Sequence, residues 1–207
     1  GPNVHDPRSG EILESHIGWY HNIMSLLRNW YLIQTAAVDP AARKKKFDDK
    51  LMGELIRFVS SHEVGHTLGL RHNMGASSAT PVEKLRDKDY QEKNGHTSSI
   101  MDYARFNYVA QPEDGVTSLF PRIGDYDKWA IKWGYSYFED AKNEAQEKAI
   151  LNEMTKEAYK NNRLWFGTET SPYDPRYQTE DIGDNAMRAS EYGIKNLKRI
   201  LPNLLEW

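Results

Sequence analysis

The sequence predicts an α+β fold that is predominantly α-helical, and three observations lead to this fold class. Apolar residues recur at intervals of three and four in several segments, which is the period of an amphipathic helix. A strand pattern is limited to a short stretch near the start of the chain, residues 11–14. The length of 207 residues fits one domain, or one domain with an appendage. We therefore expect helices around a core, with little sheet.

The front of the chain is predicted to form a strand and two helices. The turn-forming residues 6–10 precede the strand at 11–14. Two stripes of apolar residues at helical spacing predict a largely buried helix over about 18–37. A second helix is predicted over about 50–68 because its apolar residues lie on one side, and Gly69 ends it.

The back of the chain is predicted to be helical after an irregular stretch. Residues 73–99 are rich in small, polar and charged residues, which favours irregular structure. A short helix is predicted over 125–135, where aromatic residues recur at helical spacing. The charged segment 138–161 has a helical composition, and a last helix is predicted over about 184–200, where Pro202 ends it.

Composition excludes several classes of protein. The net charge of −3 argues against a nucleic-acid binder, which needs a positively charged surface. No apolar run approaches the roughly 18 residues that a membrane span requires. The absence of cysteine excludes disulfides, iron–sulfur clusters and thiolate nucleophiles, so nitrogen and oxygen must hold any metal. The chain opens with Gly1-Pro2 and no methionine, which indicates a processed or excised piece.

The most informative stretch contains three histidines and a glutamate at fixed spacing. Residues four apart lie on the same side of a helix, so His62 and His66 can share one ion. Glu63 lies on the adjoining flank and can reach a water on that ion. Gly69 permits the chain to turn back, which brings His72 round as a third ligand. Three nitrogens with one open position are typical of catalytic zinc.

An alternative is that His62 and His66 are ordinary core histidines and that His72 is an exposed loop residue. Three of the seven histidines, however, fall within eleven residues, with Glu63 between the first two. Five fixed positions would arise by chance in roughly one chain of this length in ten thousand. The spacing therefore favours the metal site.

The motif resembles that of the metzincin clan of zinc endopeptidases, which continues into a turn containing a methionine. Residues 99–103 read Ser-Ile-Met-Asp-Tyr, and Met101 lies 29 residues after His72. The resemblance implies zinc as the cofactor, Met101 as a hydrophobic floor beneath the histidines, and a poorly characterised bacterial secreted branch. It also implies export from the cytoplasm.

Tyr103 follows Met101 by two residues, where astacins and serralysins carry a tyrosine that ligates resting zinc. The resemblance implies that Tyr103 stabilises the tetrahedral intermediate. The alternative is that Tyr103 lines the specificity pocket.

The resemblance sets the expected domain organisation. Residues 1–136 are predicted to be a metzincin-like catalytic region that lacks N-terminal strands, so its sheet is incomplete, and residues 137–207 a helical C-terminal subdomain. Residues 6–13 resemble the strand that pairs with extended substrate. Residues 124–131 resemble the helix that backs the site. Asn73 departs from the better-known branches, so the resemblance assigns no established subfamily.

The function predicted from these residues is hydrolysis of peptide bonds by a zinc metallopeptidase. A zinc ion held by His62, His66 and His72 would carry a water that Glu63 activates. The expected partner is a peptide or protein substrate, with no nucleic acid and no membrane span. Two alternatives remain: a zinc-binding recognition or structural module without turnover, and a hydrolase of non-peptide amides.

Overall fold

The computed structural model describes residues 3–168 and 173–207, and Gly1 and Pro2 lie outside this part of the chain. Its strands are β1 (Asn3–His5) and β2 (Ile12–Ser15). Its α-helices are α1 (Ile23–Thr35), α2 (Asp49–Thr67), α3 (Lys88–Asn94), α4 (Asp125–Tyr135), α5 (Glu144–Ala158) and α6 (Ala186–Ile200). Short 3₁₀ turns connect several of them. The predicted α+β class with mostly helical content is confirmed.

The sheet of the described residues is a two-stranded antiparallel hairpin. Val4 pairs with Glu14, and the register shifts between Val4 and His5. The intervening turn is closed by the Asp6 carboxylate, which accepts a bond from the backbone N–H of Arg8 at 2.9 Å. A two-stranded hairpin has little stability of its own in water, so its position depends on the residues it contacts.

Helix α1 is shorter and less buried than its two apolar stripes predict. It begins at Ile23, after the exposed aromatic residues Trp19 and Tyr20. One stripe, with Leu27 and Tyr31, is buried. The other stripe exposes Leu26 and Ile33, so the expectation of a largely buried helix is wrong for that face.

Helix α2 agrees with its predicted bounds to within one residue, because residues next to each end in the sequence determine where the helix begins and ends. The Asp48 carboxylate caps it by accepting a bond from Leu51 N–H at 2.9 Å. Gly69 has a φ of 87°, which lets the chain leave the helix and reverse. The buried face of α2 carries Leu55, Phe58 and His62.

The main core joins α1, α2 and the irregular residues after position 99. Tyr31 lies within it, with its ring centroid 4.9 Å from that of Phe106 and 4.9 Å from that of Phe120. Its hydroxyl donates to the Asp39 carboxylate at 2.7 Å, so its polar end is satisfied. Ile200, at the end of α6, belongs to the same cluster. The division at residue 136 stays a prediction.

The stretch 73–99, predicted to be irregular, contains one short helix, α3. Asp87 caps α3 by accepting a bond from Tyr90 N–H at 3.0 Å, and Gly95 ends it at a φ of 68°. Asp87 and Gly95 are typical helix start and stop signals. The prediction of irregular structure followed the polar composition of the stretch and did not use them. The remaining residues form turns and two short 3₁₀ helices, Ser77–Ala79 and Val82–Arg86, and many polar side chains of the stretch are buried.

The later helices follow their caps. Helix α4 has the predicted bounds. Helix α5 begins later than predicted, because Asn143 caps it by accepting a bond from Gln146 N–H at 3.1 Å. Helix α6 begins at a similar cap, Asn185 to Arg188 N–H at 3.0 Å. No helix among the described residues is long and apolar enough to cross a membrane.

Shortening Leu55 to alanine tests the core. Leu55 is fully buried on α2, so Leu55→Ala is expected to lower the free energy of unfolding by about 3 kcal/mol. The matched control Leu205→Ala removes an exposed leucine and should change it by less than about 0.5 kcal/mol. Urea unfolding followed by circular dichroism measures both. Similar losses in the two variants would show that the α1–α2 core is misassigned.

Candidate metal centre

The structure brings the three predicted histidines together. His62 and His66 lie one turn apart on α2, and His72 comes from the segment that reverses after Gly69. One ring nitrogen from each lies within 4.8 Å of the other two. His62 is buried and the other two histidines are half-buried, so the cluster is partly exposed to solvent.

Backbone carbonyls fix the orientation of two of the rings. The Nδ1–H of His62 donates to the Ile100 carbonyl at 2.8 Å, and that of His66 donates to the Leu70 carbonyl at 2.9 Å. A carbonyl only accepts, so each bond assigns the proton to Nδ1 and leaves the Nε2 atom of that ring unprotonated. Such bonds orient the histidine ligands of metal sites.

The ring nitrogens that face one another lie close enough to share one metal ion. The Nε2 atoms of His66 and His72 are 3.1 Å apart, close to the roughly 3.3 Å between two nitrogens on one tetrahedral zinc. The Nε2 atom of His62 is buried and has no hydrogen-bond partner among the residues that the structure describes. Burial lowers the pKa of His62 to about 4, which keeps its lone pair available at neutral pH.

Glu63 and Tyr103 lie beside this cluster. Glu63 follows His62 on α2 and is half-buried, and its charge favours the protonated form of His62, although burial outweighs this effect. The ring centroid of Tyr103 is 4.5 Å from that of His72 and 5.4 Å from that of His62. The structure thus gathers all five predicted polar residues in one place.

Met101 lies against α2 at Gly65, which precedes His66. It is fully buried, and a Cβ atom built at Gly65 would overlap its sulfur. Glycine therefore permits the methionine to approach the backbone of α2 between His62 and His66. The role of Met101 as a floor beneath the histidines stays a prediction.

Asp127 is a supporting residue that the sequence did not identify. It is buried on the first turn of α4, and burial raises its pKa. Its carboxylate accepts bonds from the Ser99 hydroxyl at 2.6 Å, the Ile100 N–H at 2.8 Å and the Gly124 N–H at 2.7 Å. The position of Asp127 in the first turn of α4 predicts that it caps the helix. That position does not predict that Asp127 also holds the turn containing Met101.

Asn73, the departure from the better-known branches, has a structural explanation. Its backbone N–H donates to the Met101 carbonyl at 3.0 Å. Its side chain donates to the Trp165 carbonyl at 2.8 Å and accepts from the Gly167 N–H at 2.9 Å. The fully buried asparagine thus fixes the residue after His72 to two distant segments.

An apolar cavity of about 530 Å³ lies between α2 and α4, and none of the three histidines lines it. Val64, Leu68 and Ile131 form part of its wall. Because it contains none of the candidate ligands, we do not assign it to the metal centre.

A family model described as Met-zincin matches residues 44–207, which is more than half of the chain. The match includes the three histidines, Met101 and Tyr103, and it supports the metzincin-like family indicated by the motif. The branch stays a prediction. No curated protein and no solved structure matches the chain.

Two glycines of α2 test the contact with Met101. At Gly53 an added Cβ meets nothing within 4 Å, so Gly53→Ala should raise the free energy of unfolding by about 0.5–1 kcal/mol through helix propensity. Gly65→Ala has the same propensity gain but displaces Met101, at a cost of about 1–3 kcal/mol. Urea unfolding should therefore show a net loss for Gly65→Ala. Equal stabilisation by both changes would contradict the contact.

Proposed function

This chain belongs to the Met-zincin family, and from that premise we propose that it is a zinc-dependent metalloendopeptidase that hydrolyses peptide bonds. One observation carries the proposal. Three imidazole nitrogens converge within 4.8 Å, and backbone carbonyls hold two of the rings with Nε2 unprotonated. Ordinary core histidines need no such convergence, whereas a bound cation does.

The donor set suits zinc. His62, His66 and His72 would hold it through nitrogen, the chain contains no cysteine, and two of the three histidines are only half-buried. When bound, zinc supplies Lewis-acid chemistry, because it lowers the pKa of a coordinated water and polarises a carbonyl. Three protein ligands would leave a coordination position for water or substrate, which a structural site closed by four protein ligands would not.

Glu63 is proposed as the general base and then the proton donor. It is half-buried and adjoins His62, outside the ligand set. Its carboxylate would take a proton from the attacking water and pass it to the amine that leaves as the peptide bond breaks. The water oxygen becomes part of the new carboxyl group, so the atoms and protons of hydrolysis balance.

Tyr103 is proposed to stabilise the developing oxyanion. Its ring lies against His72 at 4.5 Å, which places the phenol at the edge of the ligand cluster. A hydroxyl donor preorganised there would favour the tetrahedral transition state over the planar peptide. The rival position, as a wall of a specificity pocket, would affect KM more than kcat.

A second candidate is a zinc-binding module that recognises peptides without cutting them. The small sheet favours this candidate, because the two-stranded hairpin of the described residues gives an extended peptide a limited edge to pair with. Glu63 opposes it, since a site that only binds has no need of a carboxylate beside its ligands. Turnover decides between the two.

Changing Glu63 to glutamine separates metal binding from catalysis. Glu63→Gln keeps the size of the side chain but removes the base, so cleavage is expected to fall at least about 100-fold with zinc content unchanged. Cleavage of fluorescein-labelled denatured casein, with and without a chelator, measures activity, and a chromogenic chelator measures zinc.

Glu54→Gln, on the same helix, is the matched control and should keep both zinc and activity. Retained turnover in Glu63→Gln would rule out the proposed base. A wild-type protein that holds zinc but cleaves nothing would instead support the recognition module.

Zinc occupancy should depend on pH because the ligands must be neutral imidazoles. Protons compete with the metal as imidazoles protonate, so zinc is expected to dissociate below about pH 5–6. Burial lowers the pKa of His62 to about 4, so this ligand should be among the last to protonate. Zinc content after equilibration at each pH, with circular dichroism as a check on folding, measures the effect. Full occupancy at pH 4 would contradict it.

A further inference from the structure

Two residues close to the metal centre have a backbone conformation that is rare for their type. Arg105 has a φ of 53° and Glu180 a φ of 70°, and among the described residues they are the non-glycine residues with positive φ. This conformation is unfavourable for a residue with a Cβ atom, so it persists only where other contacts hold it. Its occurrence at two residues that contact each other requires a common explanation.

The two residues hold each other across 75 positions of the chain. The Nε of Arg105 donates to both Glu180 carboxylate oxygens, at 2.9 and 3.0 Å, and its Nη2 donates to one of them at 2.7 Å. A guanidinium bound through two nitrogens is fixed in direction as well as in position. The backbone N–H of Glu180 also donates to the Tyr103 carbonyl at 3.1 Å.

The guanidinium that Glu180 fixes packs against two aromatic rings. Its central carbon is 4.2 Å from the ring centroid of Trp30 and 4.3 Å from that of Tyr103. The Arg105 side chain is only 15% exposed, so water screens these contacts little. The Arg105 guanidinium, held in place by Glu180, therefore packs against the Tyr103 ring.

Tyr103 in turn contacts the candidate ligands, with its ring centroid 4.5 Å from that of His72. We propose that Arg105 and Glu180 are positioning residues that hold the Tyr103 phenol at the metal centre. Neither touches a histidine in the contacts described above, so they act through Tyr103. The catalytic consequence rests on the proposed function, whereas the position of the ring does not.

Such a clamp has a physical purpose at a site of this kind. A tyrosine ring attached to a turn can rotate about two side-chain bonds, and a donor displaced by about 1 Å loses much of its effect on a transition state. A flat, charged group pressed against the ring restricts that rotation without occupying the phenol oxygen. The unfavourable backbone of both residues is then offset by the ion pair and the ring contacts.

Fluorine NMR of the whole chain tests the position of the ring without metal or activity. All twelve tyrosines are replaced by 3-fluorotyrosine, and the signal lost in Tyr103→Phe identifies Tyr103. Arg105→Gln and Glu180→Gln are each expected to shift this signal by more than its line width in the chelator-treated protein. Glu180 is 48% exposed, so its variant should fold even if Arg105→Gln does not.

Arg188→Gln is the matched control. Arg188 lies 4.7 Å from the ring centroid of Tyr192 and pairs with Glu191 at 2.7 Å, so the same chemistry is removed elsewhere. It should leave the Tyr103 signal unmoved. A Tyr103 signal that stays in place in both the Arg105 and Glu180 variants, with the fold intact by circular dichroism, would overturn the proposal.

Kinetics on labelled casein test the catalytic consequence. Arg105→Gln is expected to lower kcat about tenfold while KM changes less than twofold, and to cause no further loss when Tyr103 is already phenylalanine. Equal losses in the two backgrounds would show that Arg105 does not act through Tyr103. If the wild type cleaves no casein, the proposed function fails, and the NMR result alone decides the positioning.

Discussion

The candidate metal centre depends on one hydrogen bond, from the buried Nδ1–H of His62 to the carbonyl of Ile100 at 2.8 Å. It attaches the turn containing Met101 to α2, and the residues on either side of it complete the attachment. Met101 fills the space that Gly65 leaves on the helix, and its carbonyl accepts the N–H of Asn73, the residue after His72. A single turn therefore sets the orientation of the first histidine, the surface behind the helix and the return of the third histidine. Displacing that turn would disturb all three together.

The turn is itself held by a buried charge, which is costly unless its hydrogen-bonding capacity is used. Burial raises the pKa of Asp127, while its bonds from the Ser99 hydroxyl and the Ile100 and Gly124 N–H groups stabilise the carboxylate. On the other side of the turn, burial acts in the opposite sense on a base and keeps His62 neutral. Burial thus keeps the His62 imidazole neutral, which is the form that can bind a metal. The same burial requires the Asp127 carboxylate to accept hydrogen bonds that offset the loss of water.

The sequence predicted the parts of this arrangement that depend on residues near one another in the chain. The bounds of α2, the reversal at Gly69 and the convergence of His62 and His66 follow from helical spacing, caps and glycine. Contacts between distant segments could not be predicted in this way. Asn73 bonds to a residue 94 positions away, and Arg105 to one 75 positions away. Periodicity shows which face of a helix is apolar, but not which segment covers it, which is also why the second face of α1 was wrongly expected to be buried.

The segments that fix the site lie on both sides of residue 136. Asn73 is bonded to Trp165 and Gly167, and Arg105 to Glu180, so the region predicted as a C-terminal subdomain supplies part of the frame around the histidines. The family match over residues 44–207 includes all of these partners, whereas the hairpin precedes it. Among the bonds described, the hairpin reaches the ligand helix through Asn3, which donates to the His66 carbonyl at 3.5 Å. The bonds that fix the candidate ligands thus lie within the matched region, whereas the hairpin lies outside it.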